Sequence, residues 1–388
     1  MVRTLWNGRR SKSSRGVVYH IWKIHFNSIV TTPDQLGNHA PLAEPDGPTS
    51  QPAPPAARGR RDFWRPPPAA SAGTWLRVFR HAMACRFEAL VPAAEPGQVD
   101  AARAALGEAE RIERAWSVFR DDSDLSRLNR DASSGPCDVD AELFALLARC
   151  RQWTEVTGGA FDITATPLSR CWRWLERQAN PPSAQALADA RALVGADRVI
   201  LDPAPAADQP EAVGQGGTVR FARPGVELNL GAIGKGYAVG RIAAALRQSG
   251  VTQALVSAGD SSIEAVAAPA GGWDIALRGQ AASLRLRAGA VATSGASEQG
   301  IDVGGVRLGH VLDPRTGQPS RGVTRVTVVA PDAADADALA TALLVGGPPL
   351  AEHCLACGAE LLAVFTLEEA ERPRIMGRAS GATVERLS

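Results

Sequence analysis

No stretch of about 18 consecutive apolar residues occurs in this 388-residue chain, which excludes a membrane-spanning helix. Net charge is equally scarce: 42 basic and 41 acidic side chains nearly cancel, so no global field points to nucleic acid or to an anionic membrane surface. Any anionic ligand must therefore be captured locally. Cysteine is sparse as well. Cys85, Cys137, Cys150, Cys171, Cys354 and Cys357 are irregularly spaced in a chain too long to need disulfide staples, and most read as reduced core residues. Cys354 and Cys357 form a CxxC preceded by His353, but no second CxxC or HxxxH completes a tetrahedral zinc site, which favours a helical pair. No convincing export signal is read in the chain as written. The apolar stretch from Gly16 to Val30 is broken by His20, Lys23, His25 and Asn27, and Arg60 and Arg61 lead through Phe63 and Trp64 into Pro66, Pro67 and Pro68 rather than an apolar run. As written, the chain is expected to be soluble and cytoplasmic. It shows no internal repeat.

What is present is ordinary globular material, 45% hydrophobic, enough for a full core in one large domain or two. Ten of the 27 prolines fall between Pro33 and Pro68 among polar residues and arginines, a composition that cannot bury enough apolar area to offset its ordering entropy. Residues 1–72 are thus expected to be a disordered Pro/Arg-rich extension and residues 73–388 a folded domain. Order should begin near Trp75 with a strand through Ala84 to Val91. A helix capped by Asp100 should present Leu106, Ala109, Ile112 and Trp116, and a second, carrying Leu143 to Trp153, should end at Gly158 and Gly159. Val226, Leu228 and Leu230 alternate like a strand before a helix that closes at Gly250. Short strands around Leu255, Ile275, Leu284, Val291 and Val326, a helix over 335–345, another carrying Cys354 and a last strand at 361–366 complete an α+β, or mixed α/β, reading.

Four segments carry possible chemistry. Thr157 to Thr164 places a glycine turn beside Ala160, Phe161 and Asp162; it reads either as a ligand-approach turn or as a helix cap with a core Phe. Asn229 to Tyr237 runs through Gly231, Ala232 and Gly234 to Lys235 at a helix start. There the macrodipole, exposed amides and an ammonium would suit phosphate, although the spacing is not that of a Walker A loop and a plain tight connection remains open. Gly309 to Gly317 sets His310, Leu312 and Asp313 at a turn made by Asp, Pro and Gly, where His310 is either a general base or a packed edge residue. Asp335 to Thr341 opens a helix on which Asp337 and Thr341 share a face, either as oxygen ligands for a hard cation or as an acidic helix start.

Taken together and in order, these segments resemble the ApbE family of flavin transferases, over about 83–366. The resemblance rests on Met83-Ala84-Cys85, SVFRDDSDLSRLN at Ser117–Asn129, TGGAFD at Thr157–Asp162 and NLGAIGKGYAV at Asn229–Val239. It continues through ATSG at Ala292–Gly295, HVLDPRTG at His310–Gly317 and ADALATAL at Ala336–Leu343. The chain departs from the family pattern at Cys85, Phe119, Asn229, the 257–262 segment and Gly240, where an acidic residue is common.

The resemblance implies an Mg²⁺-dependent FAD:protein FMN transferase, which moves FMN from FAD to a threonine or serine hydroxyl of an acceptor protein carrying a Ser/Thr-Gly-Ala-Thr-like sequence. It implies FAD contacts at Met83, Phe119, Ala160, Phe161, Asp162, Asn229, Lys235 and Leu312. It places Mg²⁺ between the Ala232 carbonyl, Asp337 and Thr341. Lys235 would offset phosphoryl charge, His310 would take the hydroxyl proton, and Asp313 would orient it or stand in for it. A pyrophosphatase releasing FMN and AMP would use the same residues, and a flavin carrier would have no use for the metal clamp. Family members are often exported and lipid-anchored. Ala379 to Val384 resembles an acceptor sequence itself, with Thr383 on a terminus expected to fray.

Overall fold

Alternating burial fixes the main sheet. On successive residues of one strand, Ala290 and Ala292 face one apolar cluster while Val291 faces another, and Ala89 and Val91 are likewise divided from Leu90. Both faces of this sheet are therefore covered. The computed structural model describes residues 64–65, 75–93, 95–175, 180–204, 216–259, 261–277, 282–296, 300–303 and 306–386.

In chain order the elements begin with β1 (Trp64–Arg65), β2 (Trp75–Ala82), β3 (Cys85–Pro92), α1 (Gln98–Ala105), α2 (Gly107–Trp116), α3 (Asp124–Asp131), β4 (Cys137–Val139) and α4 (Ala141–Val156). Then come α5 (Thr166–Cys171), α6 (Ala184–Arg191), β5 (Val199–Pro203), β6 (Gly217–Phe221), α7 (Gly234–Gln248), β7 (Ala254–Ala258), β8 (Ser262–Ala267), β9 (Trp273–Leu277) and β10 (Ala282–Leu286). The chain closes with β11 (Gly289–Gly295), β12 (Gly300–Val303), β13 (Val306–Gly309), β14 (Val323–Ala330), α8 (Ala333–Ala356), β15 (Leu362–Leu367), β16 (Arg374–Gly377) and β17 (Ala382–Arg386).

The eight-stranded sheet has the order β16-β15-β14-β11-β8-β7-β3-β2, antiparallel throughout. One face carries α1, α2, α7 and α8 over the larger cluster. The other is covered by the four-stranded sheet β1-β9-β10-β17, whose Trp273, Ile275, Leu284 and Leu286 pack on Leu90, Ile263, Val291 and Val364. This is a mixed α+β fold.

Several sequence expectations change. The helix expected to start at Asp100 is two: α1 begins after Gly97 (φ 79°), Asp100 pairs instead with Arg103 at 2.6 Å, and the helix is interrupted at Leu106 before Gly107. Residues 226–230 form no strand and belong to no sheet. The Asn129 side chain stands in for a neighbouring strand, donating to the Leu228 carbonyl and accepting its N–H, both at 2.9 Å. Two strands, β16 and β17, follow the one expected to be last. The expected extension lies outside the described residues except for Trp64 and Arg65, which pair with Ile275 and Asp274.

Candidate active site

Two helices deliver the charged groups. Lys235 stands in the first turn of α7, and Asp337 and Thr341 lie one turn apart on α8, whose start is capped by the Asp332 carboxylate accepting from Ala334 N and Asp335 N. The two helices approach closely because residue 236 is glycine: a Cβ there would overlap the Ala333 carbonyl oxygen. Gly236 N then donates to Asp337 Oδ2 at 2.9 Å across the contact.

These groups open on a cavity of about 340 Å³. Its walls bring together Ala160, Asp162, Asn229, Ala232, Lys235, His310, Leu312, Asp337 and Thr341 from segments nearly two hundred residues apart in the chain. The hydroxyl-bearing residues Thr166, Ser169, Ser261, Thr293 and Ser294 complete the lining. Lys235 Nζ donates to Ser261 Oγ at 2.6 Å, and Ser294 Oγ lies 3.5 Å from Thr341 Oγ1. Asp337 is 4% exposed; burial pushes its carboxyl above the usual range, against the pull of the Lys235 ammonium and the Gly236 N–H. Burial likewise raises Asp162, opposed by Thr164, whose N–H and hydroxyl donate to Asp162 Oδ1 at 2.8 and 2.6 Å.

The amides expected to cradle an anion before α7 are largely committed. Gly231 N donates to Asn229 Oδ1, Ile233 N and Gly234 N both donate to the Leu230 carbonyl, and Gly236 N to Asp337. Attraction for an anion rests on the Lys235 ammonium and the helix terminus.

Four expected site residues lie off the cavity wall. Phe161 is 1% exposed in the core and its N–H donates to Thr157 Oγ1. Met83 sits at the tip of the β2-β3 hairpin with φ 49°, its N–H held by Glu113 Oε1 at 2.7 Å. Phe119 is 77% exposed on the α2-α3 connection. Asp313 caps its own turn, its carboxylate accepting from Arg315 N, Nε and NH2 at 2.9 to 3.0 Å. Groups without an individual assignment in the sequence include Ser261, Ser294 and Trp174, whose ring meets His310 edge-on with centroids 6.5 Å apart. Ser294 lies in the ATSG run and Ser261 in the departing 257–262 segment, but nothing in the sequence points Trp174 at His310.

An ammonium, a buried carboxylate, an imidazole and a ring of hydroxyls on one cavity suit cation-assisted group transfer on an anionic substrate. The profile of the ApbE family matches residues 83–365, and the chain belongs to that family. An FAD:protein FMN transferase of Treponema pallidum is 34% identical over 255 residues, covering 61% of this chain and 69% of the relative. Another from Rhodobacter capsulatus is 32% identical, covering 71% of this chain and 50% of that protein. The crystal structure of the ApbE protein from Thermotoga maritima superposes with a TM-score of 0.66 at 29% identity, covering 79% of this chain and 97% of its own.

Proposed function

We propose that this chain is an Mg²⁺-dependent FAD:protein FMN transferase that attaches FMN to a threonine or serine hydroxyl of an acceptor protein and releases AMP. The observation that carries this reading is the convergence of Lys235, His310, Asp337 and Thr341 on one cavity, in a family whose relatives bear that activity in their names. The donors fit the metal. The Ala232 carbonyl, the Asp337 carboxylate and the Thr341 hydroxyl offer hard oxygen ligands from residues that line the cavity, and among the described residues Asp337 Oδ1 has only a long 3.4 Å contact from Ser262 Oγ. When bound there, Mg²⁺ supplies positive charge to the phosphoryl oxygens.

The chain's own groups do the rest. The acceptor oxygen forms a bond to the FMN phosphorus as the pyrophosphate bond to AMP breaks; His310 takes the hydroxyl proton, and Lys235 offsets charge building on the phosphate oxygens. Asp313 shapes the turn that carries His310. Ala160, Asp162, Asn229 and Leu312 form the FAD wall, with Phe161 behind it as core support, and the Met83 hairpin tip and the open ring of Phe119 provide contacts beyond the cavity.

Incubation with FAD, Mg²⁺ and an acceptor carrying a Ser/Thr-Gly-Ala-Thr-like sequence should give a fluorescent acceptor band with the mass of one added FMN. Asp337→Ala should lose that band and the Mg²⁺ dependence together. Free FMN with an unmodified acceptor would make the chain a pyrophosphatase instead.

A further inference from the structure

We propose that Ser261 and Ser262 are positioning residues of this transfer, a pair of hydroxyls that keep Lys235 and Asp337 as separate charges facing one cavity. The inference rests on the function proposed above. An ammonium and a buried carboxylate that line one cavity attract each other, and a direct pair would withdraw both from their ligands. They do not pair. Lys235 Nζ donates to Ser261 Oγ at 2.6 Å, while Asp337 accepts from Gly236 N at 2.9 Å and from Ser262 Oγ at 3.4 Å.

The two hydroxyls lie 3.5 Å apart although their residues are consecutive. In a regular strand consecutive side chains point to opposite faces. Here the Gly259 turn (φ 55°), closed by Ser261 N donating to the Ala258 carbonyl, leaves Ser261 just outside β8 while Ser262 starts it. Thr293 N donates to the Ser261 carbonyl at 2.7 Å and ties the turn to β11; Ser262 pairs with Ala258 and Ala292 and is fully buried. The turn is thereby fixed from both sides.

Hydrogen direction follows from the ends. An ammonium only donates and a carboxylate only accepts, so the Ser261 hydrogen is free to point to Ser262 Oγ or the Ala258 carbonyl, and the Ser262 hydrogen points to Asp337 Oδ1. With Ser261 taking one of its three hydrogens, Lys235 keeps two for phosphate oxygens, and Asp337 keeps lone pairs for a cation.

The test is a double-mutant cycle read by flavin fluorescence as FAD binds without Mg²⁺. Ser261→Ala should weaken FAD by about tenfold in the wild-type background and by less than about twofold in Lys235→Ala, with Ser261→Thr close to wild type, as expected when a hydrogen bond to a charged group acts through that group. Ser262→Ala should raise about fivefold the Mg²⁺ concentration that half-saturates the FAD complex, read by the same fluorescence. Melting curves within a few degrees of wild type establish that the variants fold. Equal weakening by Ser261→Ala in both backgrounds, or wild-type behaviour of both serine variants, would overturn the role. Absence of FMN transfer by the wild type sinks the proposed reaction and this role with it; transfer by the wild type with an additive cycle sinks this role alone.

Discussion

His310 can accept a proton from an incoming hydroxyl only if its ring is held at the cavity, and Trp174 supplies an edge-on surface for it. His310→Ala should therefore leave FAD affinity within about twofold while slowing transfer by about 10² to 10⁴, the usual worth of a general base. An unchanged transfer rate with an unchanged pH profile would move the proton to water or Asp313. A second residue carries a pH signature in stability. Glu264 is 5% exposed, paired with Arg247 at 2.9 Å, and burial pushes its carboxyl up to about 7 from 4.5 despite that pair, with the Asp332 carboxylate adding to the rise. Between those pH values the folded chain holds a proton that the unfolded chain has lost, so this contribution is complete below about pH 4.5 and disappears as pH rises through 7. A shift of this size is worth up to about 3 kcal/mol. Glu264→Gln should remove that fall: its melting temperature relative to wild type should be higher at pH 8 than at pH 5, and a pH-independent difference would refute the titration. Sequence alone singled out Lys235, His310, Asp337 and Thr341 because each stands in a run whose order is distinctive. It could not single out Glu264 or Trp174, whose roles come from neighbours distant in the chain.

The element that organises the site is the contact between α7 and α8, and Gly236 sets its distance. Gly236→Ala would add a methyl against the Ala333 carbonyl and the Asp337 Cβ. The gain of about 1 kcal/mol from replacing a helix glycine is outweighed by an overlap costing about 1 to 3 kcal/mol, and Asp337 is displaced with the helix. The variant should melt lower and need more Mg²⁺; a wild-type response would show that the helices separate freely. The same helix explains Gly240. A Cβ there would stand 3.4 Å from Glu264 Oε2, so an acidic residue at 240 would set a second carboxylate against the buried Glu264, and glycine leaves that space to it. Helices α4 and α7 were legible from spacing and glycine caps, and α8 was expected as two helices and is interrupted at Gly347 (φ 62°). In the β-rich second half β7, β9, β10, β11, β14 and β15 were legible while β8, β16 and β17 were not. The 226–230 segment was not legible as what it is, because alternation reports a two-sided environment and not the identity of the partner; here the partners are the Asn129 side chain at Leu228 and the Ile163 carbonyl at Asn229 N.

At the scale of the whole molecule, the eight-stranded sheet separates the chemistry from the C-terminus. The cavity is lined by α7 and α8 on one face, whereas β17 belongs to the small sheet on the other, with Ala382 and Val384 packed on its core. Thr383, expected from its place near the terminus to fray, is instead in register opposite Arg285, and Arg287 Nη1 lies 3.3 Å from its hydroxyl. The preceding glycine is fixed too: the Gly381 carbonyl accepts from Arg287 N at 2.7 Å and Ala288 N at 3.2 Å. The hydroxyl is exposed, but bringing it into a cavity would require unpairing the strand and uncovering Leu284 and Leu286, each a buried leucine worth about 2 kcal/mol or more. A four-residue likeness among small residues is therefore satisfied by an edge strand without any flavin chemistry. Wild-type chain incubated with FAD and Mg²⁺ should show no added FMN mass on the peptide containing Thr383, under conditions in which an added acceptor protein is fully modified. Stoichiometric FMN on that peptide, lost in Thr383→Ala, would mean that β17 leaves the sheet in solution and that the chain is its own acceptor.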